Sequence, residues 1–142
     1  MGLTTSQLAQ AVEINSETLR YYESRGLLPE PPRNASGYRL YPVQSVERLR
    51  FIKGAQALGF TLDEIKELLS LRANDRASKR EVREQALQKV EQIEEKIDAL
   101  ETMRDALRHL IGQCSGDGPT SDCPILDGMT THGIHAHSST ER

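Results

Sequence analysis

Apolar residues recur at helical spacing in several stretches of this chain, and each stretch is bounded by residues that start or stop helices. Leu8, Ala11 and Val12 follow the Thr/Ser-rich start of residues 4–12, which predicts a short capped helix. Glu13-Ile14-Asn15 breaks it. Residues Ser16 to Glu23 open a second helix with Asn15 or Ser16 as cap, closed at Gly26. Two short helices with a tight turn between them have the spacing of a helix-turn-helix, whose second helix lies in a major groove while the first crosses the DNA backbone.

Leu27-Leu28-Pro29 runs into Pro31-Pro32-Arg33, an extended segment, because each proline disfavours helix in itself and in the residue before it. Asn34-Ala35-Ser36-Gly37 has turn chemistry and Tyr38-Arg39-Leu40-Tyr41 alternates like a strand, so a small hairpin, a wing beside the helix-turn-helix, is predicted. Val46, Leu49, Phe51 and Ile52 mark a helix over Ser45–Ala57, stopped by Gly59-Phe60. Thr61 and Glu64 stand in capping-box spacing before a helix that reaches Leu71, with Ile65, Leu68 and Leu69 as its buried stripe.

From about Ser78 to Gln113 there is no proline and no glycine before Gly112. Val82, Ala86, Val90, Ile93, Ile97, Leu100, Met103, Leu107 and Leu110 step by three or four residues along one seam. A helix of about 35 residues is near 50 Å long at about 1.5 Å per residue. Its narrow stripe predicts a coiled coil with a second copy, parallel or antiparallel; the alternative is a helix folded back as a hairpin. Beyond it, Gly112–Asp122 reads as a loop, Pro124–Met129 as one short helical turn, and residues 130–142 as a flexible tail containing His132, His135 and His137. The expected organisation is mainly α: residues 1–71 as a winged helix-turn-helix domain, 72–113 as linker and dimerisation helix, 114–129 as a metal-binding loop with its short helix, and 130–142 as the tail.

Composition adjusts this picture in two ways. The net charge of −3 is uneven, for residues 1–58 hold seven Lys/Arg against five Asp/Glu, whereas residues 59–142 hold eleven against sixteen. DNA contact therefore belongs to the first part and relies on placement more than on bulk attraction. Neither a signal core nor a run of 18 apolar residues is present, which predicts a soluble, cytosolic protein without membrane association. In that compartment Cys114 and Cys123 are expected as reduced thiols. Eight residues with two glycines and a proline separate them, so the loop can turn both sulfurs onto one soft metal ion; the alternative is an unliganded pair.

The succession Thr18-Leu19-Arg20-Tyr21-Tyr22-Glu23, Gly26-Leu27-Leu28-Pro29, Gly37-Tyr38-Arg39-Leu40-Tyr41 and Leu58-Gly59-Phe60-Thr61-Leu62-Asp63-Glu64-Ile65 resembles the MerR family of transcriptional regulators, in its metal-responsive branch. The resemblance spans residues 3 to about 129. It implies an antiparallel coiled-coil homodimer, a C-terminal effector site, and activation by untwisting and bending a promoter with a long spacer so that RNA polymerase can use it. Ser16, Thr18, Arg20 and Tyr21 on the second helix are the candidate groove contacts, Arg20 foremost because a guanidinium pairs bidentately with guanine or clamps a phosphate. Tyr38 and Arg39 on the wing resemble family phosphate contacts, and Arg33 and Lys53 are candidates for backbone contact.

In the resemblance, a cysteine pair flanks a loop just after the long helix, where Cys114 and Cys123 stand. A third position near the start of that helix reaches across the dimer and is cysteine in mercury and zinc-type sensors but serine in copper-type sensors. This chain departs from both, placing Lys79 there with Ser78 beside it, as candidate supporting residues. No third cysteine exists, which excludes a three-thiolate mercury site. A monovalent ion with two thiolates leaves a net −1 complex that a lysine or a helix N-terminus neutralises, so copper(I), silver or gold leads. Mercury(II) also accepts two thiolates. Zinc or cadmium needs added ligands from His109, Asp122, His132, His135 or His137. A thiol-redox-responsive regulator and a metal chaperone are the rivals, the latter leaving residues 3–71 without a purpose. No catalytic triad, phosphate loop or carboxylate pair points to an enzyme.

Overall fold

The computed structural model describes the backbone from Gly2 to His137 and side chains as far as Thr130. In chain order the elements are β1 (Gly2–Leu3), α1 (Thr5–Ala11), α2 (Ser16–Ser24), β2 (Tyr41–Pro42), α3 (Gln44–Ala57), α4 (Leu62–Ala73), α5 (Lys79–Gly112), a 3-10 turn (Thr120–Asp122) and α6 (Pro124–His137). The described chain falls into two compact units, Met1–Lys89 and Val90–Arg142.

The first unit is a winged helix-turn-helix. Thr4 caps α1 in a reciprocal box with Gln7, and the Asn15 Oδ1 accepts the Thr18 N–H at 2.7 Å to start α2. Between them the chain reverses through a Schellman close: Ile14 N–H donates to Ala9 O at 3.0 Å and Glu13 N–H to Gln10 O at 3.2 Å. Glu13 takes the left-handed conformation there, with φ of 60°, where glycine is the usual choice. Gly26 and Gly59 close α2 and α3 by the same pair of bonds.

The wing is a short hairpin in which Arg33 bridges Arg39. Asn34 organises its turn, its side-chain oxygen accepting the N–H groups of Ser36 and Tyr38 at 2.9 and 3.0 Å. The strand that follows pairs outside the hairpin, for β2 runs antiparallel to β1 with Leu3 opposite Tyr41. Leu8, Leu19, Leu27, Tyr41, Leu49, Ile52 and Ile65 are fully buried in one core that draws on every element of this unit up to α4. Burial of each such side chain contributes about 1.5–3 kcal/mol.

Helix α5 begins inside the first unit. Lys89 is buried, its Nζ 2.7 Å from Glu64 Oε1 and 5.5 Å from the centroid of the Phe60 ring. Glu64 also completes the α4 cap, accepting the Thr61 N–H at 2.8 Å. Hydrogen bonding to Lys89, then to the Thr61 N–H, holds the Glu64 carboxyl below its ordinary range. A carboxylate whose pKa is depressed by folding stabilises above its unfolded value, about 4.3, and loses that contribution as pH falls through the folded value. Glu64→Gln is therefore expected to cost about 1–3 kcal/mol at neutral pH. Urea titrations should show the difference from wild type shrinking as pH drops below about 4; a difference independent of pH would refute the ion pair's role.

The second unit holds the rest of α5, the cysteine loop and α6. Helix α5 is one unbroken segment of 34 residues, which overturns the folded-back hairpin. Val90, Ile93, Ile97, Leu100, Met103 and Leu107 are all exposed along it, as a seam awaiting a second copy requires. Helix α6 corrects the expectation of a single turn followed by an unpatterned tail, since it continues to His137. The Ser/Thr/His composition of its later residues carries no helical apolar period, so the sequence does not announce the extension. Residues 138–142, and the side chains of His132, His135 and His137, lie outside the described residues. Among the described residues no helix is long and apolar enough to cross a membrane.

Candidate DNA interface and metal centre

On α2, Leu19 and Tyr22 turn into the core, which leaves Arg20 and Tyr21 outward. Arg20 is exposed and, among the described residues, has no hydrogen-bond or ion-pair partner, so its guanidinium is available. Ser16 and Thr18 are half-buried on the first turn. Tyr21 is half-exposed and its hydroxyl accepts from Arg25 Nη1 at 2.9 Å, while Arg25 also pairs with Asp63 at 3.0 Å. That chain ties the end of α2 to α4.

On the wing, Tyr38 is 68% exposed and stands free of the core. Arg33 donates to Gly37 O at 2.8 Å, bracing the turn from within. Arg39 lies beneath the wing, its Nη1 2.8 Å from Glu23 Oε1 and its Nη2 3.7 Å from Glu30 Oε2. The Tyr41 hydroxyl donates to the other Glu23 oxygen. Burial first, and then this bond to Glu23, push the Tyr41 phenol above its ordinary value. A buried Glu23 thus clamps the wing to the helix beside it, a role that neither Glu23 nor Arg39 announces in sequence, because it depends on the chain returning from residue 23 to residue 39.

Lys53 reaches back from α3 to donate to Val12 O at 2.6 Å, satisfying a carbonyl at the end of α1. Arg50, which the sequence reading passed over, lines a shallow hollow with Ala11, Val12, Glu13 and Lys53 and is exposed. Its signal was only its place one turn before Lys53 on α3. Of the eight candidate DNA residues, Arg20 and Tyr38 are exposed with side chains not engaged by the scaffold, whereas Arg33, Arg39 and Lys53 carry bonds that shape it.

The cysteines occupy one hollow. Cys114 follows the last turn of α5, and its sulfur accepts the Gly116 N–H at 3.4 Å. Gly116 and Gly118 both take positive φ, 83° and 95°, which lets the loop reverse within a few residues. The 3-10 turn then delivers Cys123, whose carbonyl accepts the Asp127 N–H at 3.0 Å in the first turn of α6, with Pro124 in the helix-starting position that suits it. Both thiols are free and partly exposed, and both line a cavity of about 370 Å³ together with Asp117, Thr120 and Asp122. An N–H aimed at one sulfur and a helix N-terminus behind the other suit a soft cation held by anionic sulfur.

Among the described residues no group of three or more His, Cys, Asp or Glu gathers to hold a metal. His109 lies one turn before Gln113 on α5 and shares a hydrogen bond with it at 3.3 Å. Asp122 lines the cavity, whereas the three tail histidines fall outside the described side chains. Ser78 and Lys79 belong to the other unit and are exposed at the start of α5, where Ser78 N–H donates to Glu81 Oε2 at 3.1 Å.

The family models of the MerR HTH regulatory proteins and of the MerR DNA-binding region match residues 3–71 and 46–110 respectively. The chain is 41% identical over 129 residues to the mercuric resistance operon regulatory protein of Bacillus cereus, covering 91% of this chain and 98% of that one. Among solved structures it is similar to the transcription regulator PbrR691 of Ralstonia metallidurans in complex with lead(II), with a TM-score of 0.80 and 32% identity over 89% of this chain and 98% of the other. It is also similar to MerR of Bacillus megaterium in complex with mercury(II), with a TM-score of 0.69 and 35% identity over 89% and 97% of the two chains. Regulators of this family are not enzymes, and they bind promoter DNA as dimers. The exposed α2 face, the wing, the uncovered seam of α5 and the paired thiols after it thus have one explanation: the chain belongs to the MerR family of transcriptional regulators, in its metal-responsive branch.

Proposed function

We propose that this regulator senses a soft metal ion through Cys114 and Cys123 and that copper(I), silver or gold is the class it prefers. The observation that carries the reading is the donor set: two thiols on one cavity, a backbone N–H on one and a helix N-terminus at the other. Two thiolates satisfy a monovalent soft ion and leave a net negative charge, which nearby positive dipoles offset. In the antiparallel dimer that the family resemblance implies, the start of α5 faces the partner's loop, so Ser78 and Lys79 are proposed as its supporting residues and Lys79 adds a cation.

A second reading, mercury(II), is favoured by the likeness to the Bacillus cereus and Bacillus megaterium proteins. Zinc or cadmium requires further nitrogen or oxygen ligands, for which Asp122, with Asp117 beside it, supplies the carboxylates described on the cavity itself.

Metal binding orders the loop from Cys114 to Cys123, and the two DNA-binding units of the dimer respond by changing the twist of the promoter, which RNA polymerase then engages. A ligand shifts such an equilibrium only by its differential affinity for the two states, so the metal must bind the promoter-distorting form more tightly. Arg20 and Tyr38 make the proposed direct DNA contacts, aided by Ser16, Thr18 and Tyr21. Arg33, Arg39 and Lys53 act chiefly by holding the wing and α1 in place.

The test is competition of copper(I), mercury(II) and zinc(II) for the reduced dimer, with promoter transcription followed in parallel. Preferred copper(I) binding that switches transcription supports the monovalent sensor. Preference for mercury(II) or zinc(II) overturns the choice of metal, and response to oxidant without any metal turns the site into a redox sensor.

A further inference from the structure

Helix α6 contains a glycine that its own conformation does not require. Gly128 lies in the interior of α6 without a positive φ, a position where glycine costs a helix about 1 kcal/mol relative to alanine. Packing supplies the reason for it. A Cβ built on Gly128 would lie 2.1 Å from Leu110 Cδ2, 3.2 Å from its Cγ and 3.3 Å from its Cδ1. Rotating one methyl aside relieves the closest contact but leaves the branch carbon at 3.2 Å, so the Leu110 side chain must also move by a few tenths of an ångström. Leu110 is itself 4% exposed, although its helical neighbour Ile111 and most of the α5 seam lie open.

This contact closes the segment that carries both thiols. Leu110 stands one helical turn before Cys114, and Gly128 stands five residues after Cys123. The loop between them contains two left-handed glycines and few bonds beyond its own turns. Its closure, and with it the local concentration of one sulfur about the other, depends on α6 sitting directly against the end of α5.

We propose that Gly128 is a positioning residue for the metal loop: the absence of a side chain lets α6 seat on Leu110, and that seat brings Cys123 to Cys114. The inference rests on the two-thiol reading above. It carries an unusual sign, since Gly128→Ala makes α6 a better helix by propensity and the site a worse one.

The experiment measures copper(I) affinity of the full-length reduced protein by chelator competition, repeated with mercury(II), for wild type, Gly128→Ala, Leu110→Ala and the double variant. A metal-free readout accompanies it: the equilibrium between Cys114 and Cys123 as dithiol and as disulfide in glutathione buffers, which reports how readily the sulfurs meet. Gly128→Ala is expected to lower metal affinity about tenfold or more and to shift the glutathione equilibrium toward the dithiol, with circular dichroism showing undiminished helix. In the Leu110→Ala background the same substitution is expected to cost nothing further, because the methyl then meets no branch. Unchanged affinity in Gly128→Ala, or an equal loss in both backgrounds, overturns the inference while the two-thiol reading stands. Wild-type binding that survives replacement of both cysteines overturns the reading and the inference together.

Discussion

Cys114→Ser and Cys123→Ser are each expected to abolish metal-dependent transcription while leaving promoter binding intact. Each substitution replaces a soft thiolate by a hard, largely protonated hydroxyl and turns a two-point site into a one-point site. The second thiolate of a chelating pair binds at the effective concentration set by the loop, so its loss reduces affinity by about 10²–10⁴. The helix-turn-helix match covers residues 3–71, inside the first compact unit, and neither cysteine lies there, which is why promoter binding is expected to persist. Gel-shift affinity equal to wild type, with a transcription response moved beyond accessible metal concentrations, is the expected pair of results. A single variant that responds normally would show that the two sulfurs do not act on one ion.

Tyr41→Ala is expected to give the largest loss of stability of any single substitution in the first unit, about 3–5 kcal/mol from the emptied volume alone. Tyr41 is completely buried, stands opposite Leu3 across the small sheet and donates its hydroxyl to Glu23. Its removal leaves Glu23 paired, among the described residues, with the Arg39 guanidinium, and the wing loses one of its two ties to α2. For a domain of this size the midpoint of thermal unfolding falls by about 4–8 °C per kcal/mol, so a depression of more than about 12 °C is expected. Tyr41→Phe separates the two terms: it keeps the ring and loses the hydrogen bond, at about 1–3 kcal/mol. If the phenylalanine variant were as unstable as the alanine one, the hydroxyl rather than the packing would be the main support of the wing.

Much of the fold was legible because it is written in local chemistry. Thr4, Asn15 and Thr61 cap where capping residues were expected, Gly26 and Gly59 end helices in the left-handed conformation that glycine tolerates, and α5 runs unbroken over the span that lacks breakers. The pairing of β1 with β2 was not legible, since a strand of two residues has no period to read. Nor was the close at Glu13, where a residue that ordinarily avoids positive φ takes it. The length of α6 was missed because its later residues lack an amphipathic stripe.

For the candidate site the division is similar. Residue type and spacing alone determined a two-thiol loop after a long helix and a helix-turn-helix bearing Arg20, because ligand softness, capping and helical period are properties of short segments. Tertiary structure alone decided which charged groups are free and which are spent on the scaffold: Arg39 on Glu23, Lys53 on Val12, Lys89 on Glu64. It also decided that Gly128 meets Leu110. Such pairings join residues 16 to 41 positions apart along the chain, and a sequence carries no direct mark of them, because they arise only when separate elements close on a shared core.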